Sequence, residues 1–212
     1  KELLAGLRRC HLPVVLVNNH HDQIRTPAVL TDHAHGAFRL TEHLVQLGHR
    51  NIRLLICPED LPAAAAAEGG YRAALQRHGL RCHDALIATP PIDWSRLLCE
   101  TDRPTALVCS CASLALEASR RAVDAGFTQP SMLAVACLCE PGETLPAEHS
   151  ITSYEVDVER IVHWATELLL SASAGQPPQM VIVPGRLADR GSAAPPITGP
   201  QAVTENPGEA VI

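Results

Sequence analysis

The sequence predicts an α/β protein built on parallel sheets, and three observations carry that expectation. Short, almost continuous apolar runs alternate with longer stretches in which apolar residues recur at three- and four-residue steps. Single glycines, Gly48, Gly79, Gly126 and Gly175, follow the helical stretches, where a left-handed residue closes a helix. The apolar runs lack the alternation of half-exposed strands, which points to strands covered on both faces. Residues 31–58 hold one such unit entire. Phe38, Leu40, Leu44, Val45 and Leu47 form an apolar stripe, while Arg39, Glu42, His43 and Gln46 point elsewhere. His49 and Arg50 lie by the negative carbonyl end of that helix, and residues 52–57 read as a buried strand closed by Pro58.

The remaining elements follow in order. Residues 1–10 read as the end of a helix, with Leu3, Leu4 and Leu7 on one face, and feed a buried strand at 12–17. The polar cluster Asn18, Asn19, His20, His21 and Asp22 ends that strand. An alanine-rich helix is expected at 62–79, with Tyr71, Ala74 and Leu75 inward, then a strand at 84–89. Pro90 and Pro91 break the chain before a short helix through Trp94, Leu97 and Leu98. A strand at 105–109, a helix at 114–125 and a strand at 132–139 continue the β/α rhythm. Residues 140–148 turn to Pro, Gly and acid and read as a loop; 151–154 reads as a short extended crossing. The helix at 156–174 is expected to turn Ile161, Trp164, Leu168 and Leu169 inward, and 180–183 is the last strand. Residues 193–212, rich in Pro, Gly and small residues, are expected to be a flexible tail.

Composition narrows the function classes. With 212 residues, 46% of them hydrophobic, the chain can bury one large or two small cores, and a net charge of −6 argues against a nucleic-acid-binding surface on this segment. No apolar run approaches the ~20 residues that cross a bilayer, and no secretory leader opens the sequence, so no membrane partner is expected. Eight cysteines scattered through helices and strands read as reduced thiols, which places the chain in the cytoplasm.

The order of several blocks resembles the effector-binding core of bacterial transcription regulators of the LacI/GalR family. These are Leu12-Pro13-Val14-Val15-Leu16-Val17, Asp32 with Gly36, Leu47-Gly48-His49-Arg50, Gly70-Tyr71-Arg72-Ala73-Ala74-Leu75, Pro104-Thr105-Ala106-Leu107-Val108, Ser150-Ile151-Thr152 and Leu187-Ala188-Asp189-Arg190-Gly191-Ser192. The resemblance implies a periplasmic-binding-protein-like fold, two Rossmann-like lobes with parallel sheets, the first lobe incomplete. It divides the chain into 1–31 plus 154–175 for the N-terminal lobe, and 32–150 plus 177–192 for the C-terminal, effector-binding lobe. Residues 31–32, 150–153 and 176–179 would be the three crossings, and strand 180–183 would join the large sheet. Earlier strands and a helix-turn-helix domain, present in the family, are expected to lie outside this chain. Strand 13–17 and Trp164 should then be more exposed than their composition suggests. The implied partners are a small-molecule effector, operator DNA through that absent domain, and a second copy in a homodimer.

Ligands of open α/β sheets bind beyond the carboxyl ends of the strands. The resemblance puts Ala67 where family members carry arginine, Cys111 and Ala112 where they carry an Asn-Asp pair, and Cys139 where they carry aspartate. Candidate ligand-binding positions are therefore Asn18, Asn19, His20, Asp32, Ala67, Cys111, Cys139 and Glu140. The cluster at 18–22 is either a solvated turn or part of the site. Asp32 either meets ligand or binds backbone amides at the hinge. Cys109, Cys111, Cys137 and Cys139 sit two apart at the ends of two successive strands: either they converge as soft-metal ligands or they are structural thiols, and they lack C-x-x-C spacing. Neither G-x-S-x-G, H-E-x-x-H nor a phosphate-binding glycine loop occurs, so no catalysis and no cofactor are expected. Two functions remain: the ligand-sensing domain of a DNA-binding transcription regulator, or the solute-binding protein of a transporter. A thiol or metal sensor is a minor third.

Overall fold

A computed structural model describes residues 6–7, 10, 12–19, 25–57, 61–82, 87–99, 101–139 and 150–197. Its elements in chain order are β1 (Leu16–Val17), β2 (Ala28–Thr31), α1 (His33–Gln46), β3 (Ile52–Leu55), α2 (Leu61–Arg77), β4 (Ile87–Ala88) and α3 (Trp94–Cys99). Then come β5 (Ala106–Cys109), α4 (Ala112–Asp124), β6 (Ala134–Cys139), β7 (Thr152–Glu155), α5 (Val158–Ser173), β8 (Met180–Val183) and β9 (Arg186–Ala188). Among the described residues they form two sheets. The larger runs β4-β3-β5-β6-β7-β9, parallel except for β9, which pairs antiparallel with β7; the smaller runs β1-β2-β8, all parallel.

Period two sorts the large sheet into its two packed faces. Ile52 and Leu54, Ala106 and Val108, and Ala134, Ala136 and Leu138 meet α1 and α2 in one core; Leu107, Cys109, Val135, Cys137 and Cys139 meet α3 and α4 in the other. The first core continues to Val29, Val183, Ile161 and Leu168, so α5 and the small sheet share apolar packing with the large one. Helices α1 and α2 pack closely because Gly70 leaves room: a Cβ there would lie 1.9 Å from the Ala34 carbonyl oxygen. Asp32 caps α1 by accepting from the His35 N–H at 2.8 Å. The Tyr71 hydroxyl donates to the Ile52 carbonyl at 2.8 Å, and burial pushes its phenol pKa up.

Several sequence expectations need correction. Strand 12–17 is paired only at Leu16 and Val17, and its neighbour is β2, a strand that the sequence reading did not identify. It is an edge strand with one partner, where none was expected. Strand β8 pairs with β2 across Ala28–Thr31, not with the large sheet; β7 and β9 occupy that side of the large sheet instead. Helix α5 buries Ile161 and Leu168, but Trp164 and Leu169 are 38% and 39% exposed; the helical pattern had turned both inward, whereas the incomplete lobe implied an exposed Trp164. Residues 193–197 are not a loose tail. Ala193 is buried, the Ala194 carbonyl accepts from Nε2 of His49 at 2.8 Å, and Ile197 N–H donates to the Ser131 carbonyl at 3.3 Å. His49, fully buried, also meets Thr105 Oγ1 at 3.0 Å through Nδ1. The expectations for 1–5, 8–9, 83–86, 140–149 and 198–212 lie outside the described residues.

Candidate functional site

The described chain passes between the sheets three times: from β2 to α1, from β7 to α5, and from β8 to β9. The second and third passes, at 156–157 and 184–185, fall after the strands that the sequence reading had placed as crossings or in the wrong sheet. All three lie side by side. Asp32 N–H donates to the Val183 carbonyl at 3.2 Å, tying the first pass to the third. Gly185 N–H donates to the Tyr154 hydroxyl at 2.7 Å, tying the third to the strand that leads into the second. The same hydroxyl lies 3.0 Å from Nδ1 of His35, on the first turn of α1, in a hydrogen bond whose direction follows the histidine tautomer. The His35 and Tyr154 rings stand edge to face at 84°, with centroids 5.8 Å apart. Tyr154 is buried, and burial raises its pKa; the Gly185 N–H works in the opposite direction.

Close backbone approach at these passes is built in. A Cβ at Gly185 would lie 2.3 Å from the Glu155 carbonyl oxygen, so only glycine fits. Beside it opens a cavity of about 470 Å³ bordered by Glu155, Asp157, Glu159, Arg160, Gly185 and Arg186. Across β7, Arg190 pairs with Glu155 and Ser153, and Thr152 Oγ1 donates to Asp189 Oδ1 at 3.1 Å. Asp189 also accepts from Gly191 N–H, and that bond is the first cause of its lowered pKa. The closing segment is thereby fastened to the strand that leads into the second pass.

The sequence-derived positions fall in four places. Asn18 and Asp32 lie together near the first pass: Asn18 Oδ1 accepts from both N–H and Oγ1 of Thr31 at 2.9 Å, with Asn18 itself at φ +49°. Asn19 is exposed beside them. Cys111 and Cys139 lie at the carboxyl ends of adjacent strands of the large sheet, with Cys57 and Ser110 close by; the Cys57 N–H donates to Ser110 Oγ at 2.8 Å. Ala67 is elsewhere, fully buried in the apolar core with Ala64 and Tyr71. His20 and Glu140 lie outside the described residues. Cys109 and Cys137 stand opposite each other in register, both fully buried, and burial pushes the Cys109 thiol well up. Convergence of four thiols on one metal is not what the strands produce: among the described residues no group of three or more His, Cys, Asp or Glu is placed to hold a metal ion.

Residues 41–193 match the model of the periplasmic binding protein-like domain. The chain belongs to that family. Among curated relatives, the arabinose metabolism transcriptional repressor of Geobacillus stearothermophilus is 31% identical over 121 residues, 52% of this chain and 33% of the relative. The HTH-type transcriptional repressor CytR of Escherichia coli K12 is 27% identical over 179 residues, 77% of this chain and 50% of the relative. The chain therefore spans half or less of these relatives' length. Among solved structures, a LacI transcriptional regulator from a Rhodococcus species superposes with a TM-score of 0.79 at 24% identity, covering 92% of this chain and 74% of the other. A LacI family regulator from Enterococcus faecium with bound ribose gives 0.75 at 18% identity, covering 91% and 75%. Those two likenesses speak to the fold. Among the described residues no helix is long and apolar enough to cross a membrane.

For a periplasmic binding protein-like domain, the residues that sequence reasoning missed are His35, Tyr154 and Gly185. A signal existed. Tyr154 is one of two tyrosines in the chain, and a buried phenol needs a hydrogen-bond partner. The partners, however, come from residues 119 and 31 positions away, which only the fold brings together.

Proposed function

We propose that this chain is the effector-sensing part of a LacI-type transcription regulator, holding a small molecule between the lobe built on the small sheet with α5 and the lobe built on the large sheet. Occupancy would set the relative position of the lobes and, through a domain outside this chain, the affinity for operator DNA. The observation that carries this reading is the three inter-sheet passes bound to one another through Asp32, Val183, Tyr154 and Gly185, the arrangement a two-lobed sensor needs at its hinge. The names of the relatives, both transcriptional repressors, support a role in regulation. The reading extends to a chain that works by binding without catalysis, in the cytoplasm and as a homodimer.

Asn18, Asn19, Asp32, Cys111 and Cys139 are the proposed contacts, with His20 and Glu140 as further candidates. Ala67, buried, offers no polar group. Because small and thiol side chains stand at the large-sheet strand ends, the effector is expected to differ from a simple monosaccharide. A thermal-shift screen with pentoses, hexoses, nucleosides and amphipathic metabolites tests this, since a ligand at 100-fold its Kd adds roughly 2.7 kcal/mol of stability. Stabilisation by a non-sugar class agrees with the proposal. Micromolar binding of arabinose, ribose or glucose contradicts the ligand reading, and no stabilisation by any class contradicts the sensing role.

A further inference from the structure

The cavity beside Gly185 takes its walls from both sides of the hinge, and none of the described effector positions borders it. At about 470 Å³ it is the size of a small-molecule site. Arg160 borders it from the first turn of α5, which packs on the small sheet, and Arg186 from the start of β9, in the large sheet. Among the described residues neither guanidinium is held in a hydrogen bond or an ion pair. The acids of the lining differ in this respect. Glu155 is paired with Arg190 and accepts from Ser153 Oγ at 2.8 Å. Asp157 caps α5 by accepting from the Glu159 N–H at 2.9 Å, where the positive end of the helix offsets its charge. That leaves Glu159, whose carboxylate no described residue engages. The uncommitted charge around the cavity is thus two cations and one anion.

We propose that this cavity is a second binding site, for a small molecule with two acid groups and one ammonium, the amino dicarboxylate class. A guanidinium presents a planar fork of donors that meets a carboxylate at two points, and two such forks favour a diacid over a monoacid. Glu159 supplies an acceptor for the ammonium, which carries only donors. Two cations and one anion on the protein then meet two anions and one cation on the ligand. One exposed ion pair contributes little, but three made by one molecule share a single loss of translational freedom. Because Arg160 and Arg186 come from opposite sides of the hinge, a ligand on both favours the lobe arrangement in which they face each other. The sensor is thereby biased without the effector's own place being occupied.

The site goes beyond the sensing role and is tested separately from it. The isotope-labelled full chain is titrated with L-glutamate and L-aspartate, beside glutarate, which lacks the ammonium, and L-glutamine, which lacks one acid group. The expected result is saturable binding of at least one of the two acidic amino acids with a Kd below about 1 mM. The amides of residues 155–160 and 185–186 should move, and those of Asn18, Cys111 and Cys139 should not. Affinity should fall at least about 10-fold in Arg160→Gln and in Arg186→Gln, and as much for glutarate and L-glutamine. Both arginines are exposed, so the variants keep the core intact. Arg120→Gln, at an exposed arginine of α4, should leave affinity unchanged, which separates the site from general charge attraction. No saturable binding of either acidic amino acid, binding unaffected by the Arg160 or Arg186 variants, equal affinity for glutarate or L-glutamine, or shifts confined to Asn18, Cys111 and Cys139 would each overturn the proposal. The last of these results would leave the sensing role standing.

Discussion

Tyr154 concentrates at one group what holds the three passes together, since its hydroxyl accepts from Gly185 N–H and hydrogen-bonds with His35 Nδ1. Tyr154→Phe keeps the ring and removes both bonds, stranding a partly buried amide and a ring nitrogen. A loss of about 1–3 kcal/mol is expected in urea unfolding; a change under about 0.5 kcal/mol would mean that the phenol does not tie the passes. His49 makes a pH prediction. Burial is the first cause that lowers its pKa below the ordinary 6.5, so the unfolded chain binds the proton more readily than the folded one. Its contribution is complete above pH 6.5 and is lost as pH falls from there toward the folded value. His49→Gln should therefore show a flatter decline of stability below that pH than the wild type, measured by unfolding at a series of pH values. Equal slopes would contradict it. The LGHR block was legible as a helix end; that His49 would anchor Ala194 was not, because the tail's sequence is small and apolar without period, and its packing is decided by partners far away in the chain.

At the scale of elements, apolar runs and glycine stops revealed most helices and strands of the described chain within a few residues. What they could not reveal was partnership. The run Met180-Val181-Ile182-Val183 looks like any buried strand, and nothing in it says whether it joins the large sheet or the small one; the crossings moved with that choice. Strand β2 was missed because Ala-Val-Leu-Thr is short and lies between a polar cluster and the helix cap at Asp32. Helix α2 offers a paired test of packing. Gly69 faces open space, so Gly69→Ala should stabilise by about 0.5–1 kcal/mol through helix propensity. Gly70 has the Ala34 carbonyl oxygen 1.9 Å from where a Cβ would be, so Gly70→Ala should destabilise by about 1–3 kcal/mol as the helices are forced apart. Thermal unfolding of both variants checks the account, and stabilisation by Gly70→Ala would show that the α1–α2 approach is not as close as described.

For the whole molecule, the two sheets differ in how well they are covered. Strands β5 and β6 of the large sheet are buried throughout and β3 at all but Arg53, whereas Met180 and Ile182 of β8 are 54% and 56% exposed. Exposure was expected at strand 13–17 and Trp164, and Val17 and Trp164 are indeed 47% and 38% exposed; the open surface of β8 was not expected, because that strand was assigned to the packed large sheet and instead joins β1 and β2. The sites are less legible than the fold. Asp32 and Asn18 do lie at the first pass, but Ala67 is a core residue, and the cavity beside Gly185 is bordered by charged residues that the family blocks do not mark. The central claim, that a small molecule is sensed where the sheets meet, is tested most directly by amide chemical shifts of the isotope-labelled chain during a titration with metabolite mixtures. The account predicts that a binding compound moves the amides of residues 31–32, 154–157, 183 and 185–186 together. Binding that leaves all three groups of amides unmoved would contradict it.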